Sequence, residues 1–188
     1  SSWNATGLDL DRSYAYEVRT VDAAGFIGAP TACRELPTPT KRTSIGISVD
    51  SASSDLGHGL PGDSITSTSA VTVDTFGSPG YALHASLDHQ PTLGVHVIPA
   101  TTSGTPAVPG PWVGDGFGIT VTSATGLQAK WGAGTNYAAL TTSPTEIHAT
   151  GAVLAPNTAN STTTTMRYRM AIPATQQAGA YSTTVSYT

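Results

Sequence analysis

The sequence predicts an all-β protein built around an antiparallel β-sandwich. Three observations carry that prediction. No window of the 188 residues repeats apolar positions at i, i+3, i+4 and i+7 over three turns, the spacing one buried helical face would need. Alternation of apolar and polar residues, the period of a half-buried strand, recurs from one end of the chain to the other. The 20 glycines and 13 prolines punctuate these runs together with Asn and Asp, residues that favour turns for separate steric and hydrogen-bonding reasons.

Taken in order, Tyr14, Tyr16, Val18 and Thr20 fall on one face of the first run, with Ala15, Glu17 and Arg19 on the other. Ile45, Ile47 and Val49 alternate with Gly46 and Ser48. Val71 and Val73 alternate with Thr72 and Asp74, and Tyr81, Leu83, Ala85 and Leu87 with Ala82, His84, Ser86 and Asp88. Val95 and Val97 follow, then Ile119 and Val121. The β-branched run Thr162–Thr165 leads into a strand whose Met166, Tyr168, Met170 and Ile172 oppose Arg167, Arg169 and Ala171. Tyr181, Thr183, Val185 and Tyr187 close the chain. The Pro-rich stretch Pro99–Pro111 is expected as a long loop or a crossover between sheets. Leu36-Pro37-Thr38-Pro39-Thr40 contains two residues with no backbone N–H to give a sheet. It reads as a linker, dividing the chain into residues 1–36, a connection at 37–42, and a larger domain at 43–188.

Composition narrows the function classes. Charged residues make up 11% of the chain, against roughly 25% in an average globular protein. The 31 Thr and 19 Ser carry the polar surface in their place. Lys41 and Lys130 are the two lysines, and the net charge is −4. That leaves no clustered basic face, so nucleic acid is excluded as a partner. No apolar run reaches the roughly 18 residues of a membrane span. An apolar fraction of 38% is too high for disorder and sufficient for a sandwich core. No signal peptide opens the chain, and its start inside an apparently folded segment suggests a mature or trimmed product. A single cysteine, Cys33, excludes an internal disulfide framework. Hydroxyl wealth with scarce lysine suits a protein displayed outside the cell.

Two resemblances sharpen this picture. Gly7-Leu8, Tyr14-Ala-Tyr16-Glu-Val18-Arg-Thr-Val-Asp22-Ala-Ala-Gly25 and Gly28-Ala29-Pro30 resemble the C-terminal half of a fibronectin type III domain. The resemblance implies that Tyr14 is a corner tyrosine, that Asp22–Gly25 is the hairpin into the last strand, and that the first four strands of such a domain are missing. The segments Val71–Thr75, Gly80–Ser86, Phe117–Ile119, Trp131–Tyr137 and Tyr168–Thr188 are distantly similar to a β-sandwich repeat of bacterial cell-surface proteins of the WxL type, without that family's Trp-x-Leu signature. The similarity implies a closing hairpin at Ala178-Gly179 and an extracellular structural or adhesive module with no attached activity. The combined expectation is an immunoglobulin- or jelly-roll-like sandwich preceded by a partial fibronectin type III-like strand set.

Candidate chemistry is sparse. His84, Asp88, His89 and His96 form the densest group of potential metal ligands, but a structural zinc site needs about four N or S donors, and Cys33 lies far away in sequence. Solvated strand residues are the simpler reading. Asp9, Asp11, Asp50, Asp55 and Asp63 could offer oxygens to calcium, yet no EF-hand-like spacing is present and lone Asp residues commonly make turns. No Gly-x-Ser-x-Gly elbow occurs, and Glu17, Glu35 and Glu146 have no setting of paired carboxylates. Trp3, Trp112 and Trp131 could stack on sugar rings, although tryptophan more often packs a core, and Trp131 reads as a strand-end plug. Lys41 or Lys130 could crosslink to Asn136, Asn157 or Asn160, but exposed lysine is the default. Asn4 and Asn160 head N-glycosylation acceptor motifs.

These readings converge on a non-catalytic structural subunit of a bacterial surface filament, pilus-like fibre or surface array, with no cofactor and no metal. An adhesin module that binds glycans or cell wall is the alternative. The expected partner is another copy of the chain. The expected contact is the apolar face of the N-terminal strands, Tyr14, Tyr16 and Val18, which lack the strands that should cover them.

Overall fold

The computed structural model of the chain describes residues 14–36, 43–151, 154 and 158–188. The chain divides into two compact units, Ser1–Thr43 and Ser44–Thr188. The expected linker at 37–42 and the Gly7-Leu8 pair lie outside the described residues. The protein is nearly all β, 43% strand and 4% helix.

In the first unit, β1 (Tyr14–Tyr16) pairs antiparallel with β2 (Arg34–Leu36), placing Tyr14 opposite Leu36 and Tyr16 opposite Arg34. The two arms continue toward a turn through a bond from the Thr31 N–H to the Val18 carbonyl at 2.9 Å and a bridge between Val21 and Ile27. Asp22 makes the turn. Its Oδ1 accepts from the N–H groups of Ala24 and Phe26, each at 2.9 Å. An aspartate carboxylate standing in for a backbone acceptor is a strong local turn device, so a hairpin closes at Asp22–Phe26.

The second unit runs β3 (Ser44–Val49), β4 (Ser64–Phe76), β5 (Ala82–Leu87), β6 (Thr92–Leu93), β7 (His96–Val97), β8 (Gly110–Pro111), β9 (Gly116–Ser123), a 3-10 turn (Ala129–Gly134), β10 (Asn136–Tyr137), β11 (Thr145–Ala149), β12 (Ala159–Ala171) and β13 (Val185–Tyr187). Two sheets face each other. One has the order β3-β4-β12-β9 and the other β11-β5-β13, and every pairing in them is antiparallel. The spine is the β4–β12 pair, in unbroken register from Ser64 opposite Ala171 to Phe76 opposite Ala159. Period 2 then sorts its side chains. Val71, Val73, Met166 and Tyr168 enter the core, where they meet Leu83, Ala85 and Leu87 of β5, Ile147 of β11 and Phe117, Ile119 and Val121 of β9. Hydroxyls and arginines take the outer face, as where the Thr72 and Thr163 hydroxyls lie 3.1 Å apart across the pair.

Three expectations are corrected. Ala178-Gly179 does not fold a hairpin back onto β12. Both edges of β12 are already occupied, by β4 and β9. The closing segment therefore crosses to the other sheet, and its regular part, β13, pairs with β5. Val95 is not a strand residue but sits in the tight turn between β6 and β7, fully open to solvent. Trp131 does not plug a strand end; it is buried in the 3-10 turn. That turn needs positive φ at Gly132, Ala133 and Gly134, a conformation glycine reaches without steric cost. Ile45, Ile47 and Val49 do line one face of a strand, but that face is uncovered.

Candidate assembly surface

The residues singled out for assembly are partly or largely open. Tyr14 is half-buried, Tyr16 is 39% exposed and Val18 55%. The turn of the same hairpin adds Val21, Phe26 and Ile27, with Phe26 exposed at 74%. One short antiparallel ribbon has only two strands with which to hide side chains, and a two-stranded ribbon is marginal alone in water. Charge contributes little here: Arg19 bonds Glu17 at 2.7 Å in the open, where ion pairs are worth little. Sequence reasoning missed Phe26 and Ile27 because both lie at the turn, outside the strand pattern, although two large apolar residues beside Gly25 were a legible signal.

A second open apolar surface lies on the sandwich. β3 pairs with β4 so that Ile45, Ile47 and Val49 stand opposite Thr75, Val73 and Val71. Directly opposed residues in an antiparallel pair project to the same side. These three side chains therefore share the core face of the sheet, yet Ile45 is 67% exposed, Ile47 46% and Val49 44%. Cover ends at β4, whose Val71 and Val73 are buried.

The remaining candidates are dispersed or already engaged. Asp88 is bound by the Thr184 N–H at 2.8 Å, by the His89 N–H at 2.7 Å and by the Thr183 hydroxyl at 3.1 Å. These bonds, led by that of Thr184, hold its carboxyl at about 2 and fasten the closing segment beside the end of β5. His89 lies 3.4 Å from the same carboxylate. Among the described residues no three His, Cys, Asp or Glu side chains, His84 and His96 included, come together as a ligand group. Asp55 and Asp63 accept from the N–H groups of Gly57 and Leu60, each at 2.8 Å, and act as turn residues. Asp50 is held below the ordinary carboxylate range by the Ala70 N–H and by the Ser69 hydroxyl at 3.0 Å. Asp9 and Asp11 lie outside the described residues.

Among the described residues the tryptophans do not form a platform. Trp131 is fully buried, its indole N–H donating to the Ile147 carbonyl at 2.9 Å. Trp112 meets Tyr137 edge-on at 5.1 Å, and the Arg169 guanidinium lies 4.5 Å from the centre of its ring. Trp3 lies outside the described residues. The Lys130 ammonium sits 5.5 Å from the centre of the Trp131 ring, while the Asn136 side chain donates to the Lys130 carbonyl at 2.8 Å. The Asn160 amide donates to the Thr158 carbonyl at 3.2 Å, and Lys41, Asn157 and Asn4 lie outside the described residues. Cys33 is exposed.

A groove of about 380 Å³ opens between the segment after β3 and the closing segment, lined by Val49, Leu56, Tyr181, Thr183 and Val185 among others. Its walls combine apolar side chains with hydroxyls, those of Ser54, Ser69, Tyr168 and Tyr187 among them. The buried imidazole of the sandwich, His148, serves packing. Its ring meets Tyr81 edge-on at 6.3 Å, its Nε2 lies 3.1 Å from the Thr125 carbonyl, and burial pushes its pKa down. Comparison with protein-family models, with curated proteins and with solved structures finds no match to this chain.

Proposed function

We propose that this chain is a non-catalytic, extracellular structural subunit that assembles with further copies of itself into a bacterial surface filament or array. The observation that carries the reading is the N-terminal ribbon, whose Tyr16, Val18, Val21, Phe26 and Ile27 stand open to water. Folded proteins cover or pair such surfaces, and larger contiguous ones mark contact sites. The hydroxyl-rich, weakly charged surface supports the same reading, since it gives a polymer a neutral exterior with little self-repulsion. A heterologous contact of this ribbon with a different surface of the next copy would not close, and would propagate a fibre.

The test is the full chain against a variant carrying Val18→Asp and Phe26→Asp, compared by light scattering and negative-stain microscopy. Regular polymers from the parent chain and dispersed particles from the variant are the expected result. Equal polymerisation by both removes the ribbon as connector. Dispersed particles from both, together with binding on a glycan array, favour the adhesin reading instead.

A further inference from the structure

The two outer edges of the four-stranded sheet are treated differently. β9 is capped over its first half: the Phe117 N–H donates to the Pro99 carbonyl at 2.8 Å, the Thr101 N–H to the Phe117 carbonyl at 2.9 Å, and Ile119 and Ala138 exchange bonds at 2.9 Å. At the opposite edge, β3 bonds to β4 on one side, and among the described residues no backbone hydrogen bond reaches its other side. Exposed edges are ordinarily blunted by charge, proline, a bulge or extreme shortness. β3 has none of these. Its six residues, Ser-Ile-Gly-Ile-Ser-Val, carry no charge and no proline, and their register with β4 is unshifted. A Cβ added at Gly46 would meet nothing within 4 Å.

The pattern of β3 is self-complementary. When two copies run antiparallel with Ile47 facing Ile47, Ile45 meets Val49 and Val49 meets Ile45, so every apolar side chain pairs with an apolar one. Flanking charges choose the same orientation. In the sequence Lys41 and Arg42 precede the strand and Asp50 follows it, an order of charge that favours antiparallel over parallel copies.

We propose that β3 is a pairing edge, and that its occupant is β3 of a second copy, joined antiparallel about a two-fold axis at Ile47. The sheet then continues across both copies as eight strands, and Ile45, Ile47 and Val49 lie against their counterparts. An isologous contact of this kind closes on itself. It is independent of the contact proposed for the N-terminal ribbon, and yields paired subunits whether or not a fibre forms. A strand pair buries less than the roughly 1,000 Å² of a stable complex, so the pairing is weak and depends on concentration.

The experiment uses the full chain carrying Cys33→Ser, with a single new cysteine at Ile47→Cys or, as control, at Ser48→Cys. Opposed Cα atoms in an antiparallel pair lie about 4.5–5.5 Å apart, within disulfide reach. Position 47 meets itself across the axis, whereas 48 faces 46 of the other copy. Mild oxidation is expected to give a disulfide-linked dimer from Ile47→Cys at least about tenfold faster than from Ser48→Cys, read on a denaturing gel that is blind to any higher assembly. Equal rates, or no crosslink at 47 because the chain's own N-terminal unit covers the strand, overturn the proposal. A second arm mixes Ile47→Lys with Ile47→Glu, both in the Val18→Asp, Phe26→Asp background that removes the ribbon contact, and follows sedimentation. Each alone is expected to be monomeric through like-charge repulsion on the axis, and the equimolar mixture to recover the dimer. A mixture that stays monomeric is equally fatal.

Discussion

Two threonines on the same face of one strand should respond in opposite directions to the same substitution. Thr162 and Thr164 both point into the core from β12, opposite Val73 and Val71. The Thr162 hydroxyl lies 2.8 Å from the Tyr81 hydroxyl. The Thr164 hydroxyl is buried with no partner among the described residues. Burying a hydroxyl without a hydrogen bond costs about 1–3 kcal/mol, and valine replaces it with a methyl of nearly the same size. Thr164→Val should therefore stabilise the sandwich by about 1–2 kcal/mol, raising the melting temperature by about 2–8 °C for a unit of this size. Thr162→Val should lose about 1 kcal/mol, because the Tyr81 hydroxyl gives up its partner. Urea unfolding with an unchanged m-value measures both as shifts in midpoint. If Thr164→Val lowers stability by more than about 0.5 kcal/mol, a bond to that hydroxyl exists and the reasoning fails.

Trp131→Phe removes the indole donor to the Ile147 carbonyl and leaves a void in the core; a loss of about 2–4 kcal/mol is expected in the same titration. Gly80→Ala places a Cβ 1.6 Å from the Gly151 carbonyl oxygen, a backbone clash that should cost about 3 kcal/mol or more, and a neutral result would show that the two loops part freely. His148 makes stability depend on pH in a stated direction. Its folded pKa lies below its unfolded value because burial disfavours the imidazolium, so the unfolded chain takes up the proton first. Stability should fall as pH drops through about 6.5, and His148→Gln should flatten that slope between pH 7.5 and 5; an unchanged slope would assign the dependence elsewhere.

Where one buried face follows a clean period of two, strand and inward face were both legible from the sequence. Val71 with Val73, Leu83 with Ala85 and Leu87, Ile119 with Val121, and Met166 with Tyr168 all reach the core as alternation requires. β11 was not legible. A register shift between Glu146 and His148 inserts a residue, so the neighbours Ile147 and His148 are both buried and the alternation disappears. Trp131 escaped because its turn depends on positive φ at three consecutive residues, which no apolar period encodes. Of the exposed apolar residues of the N-terminal ribbon, Tyr16 and Val18 stand out by their pattern, while Phe26 and Ile27 lie at the turn, outside it.

The sequence by itself determined that this chain makes strands, where most of them turn, and which side chains share a face, because those follow from backbone sterics and a two-residue repeat. The tertiary structure decided which faces are covered and which edges are free. Ile45, Ile47 and Val49 repeat as cleanly as Val71 and Val73, yet lie in the open because the opposing sheet has three strands and the sheet carrying them has four. The closing segment crosses to β5 because β12 has no edge left to offer. Edge and cover are properties of how distant strands are ordered, and no local repeat carries that information.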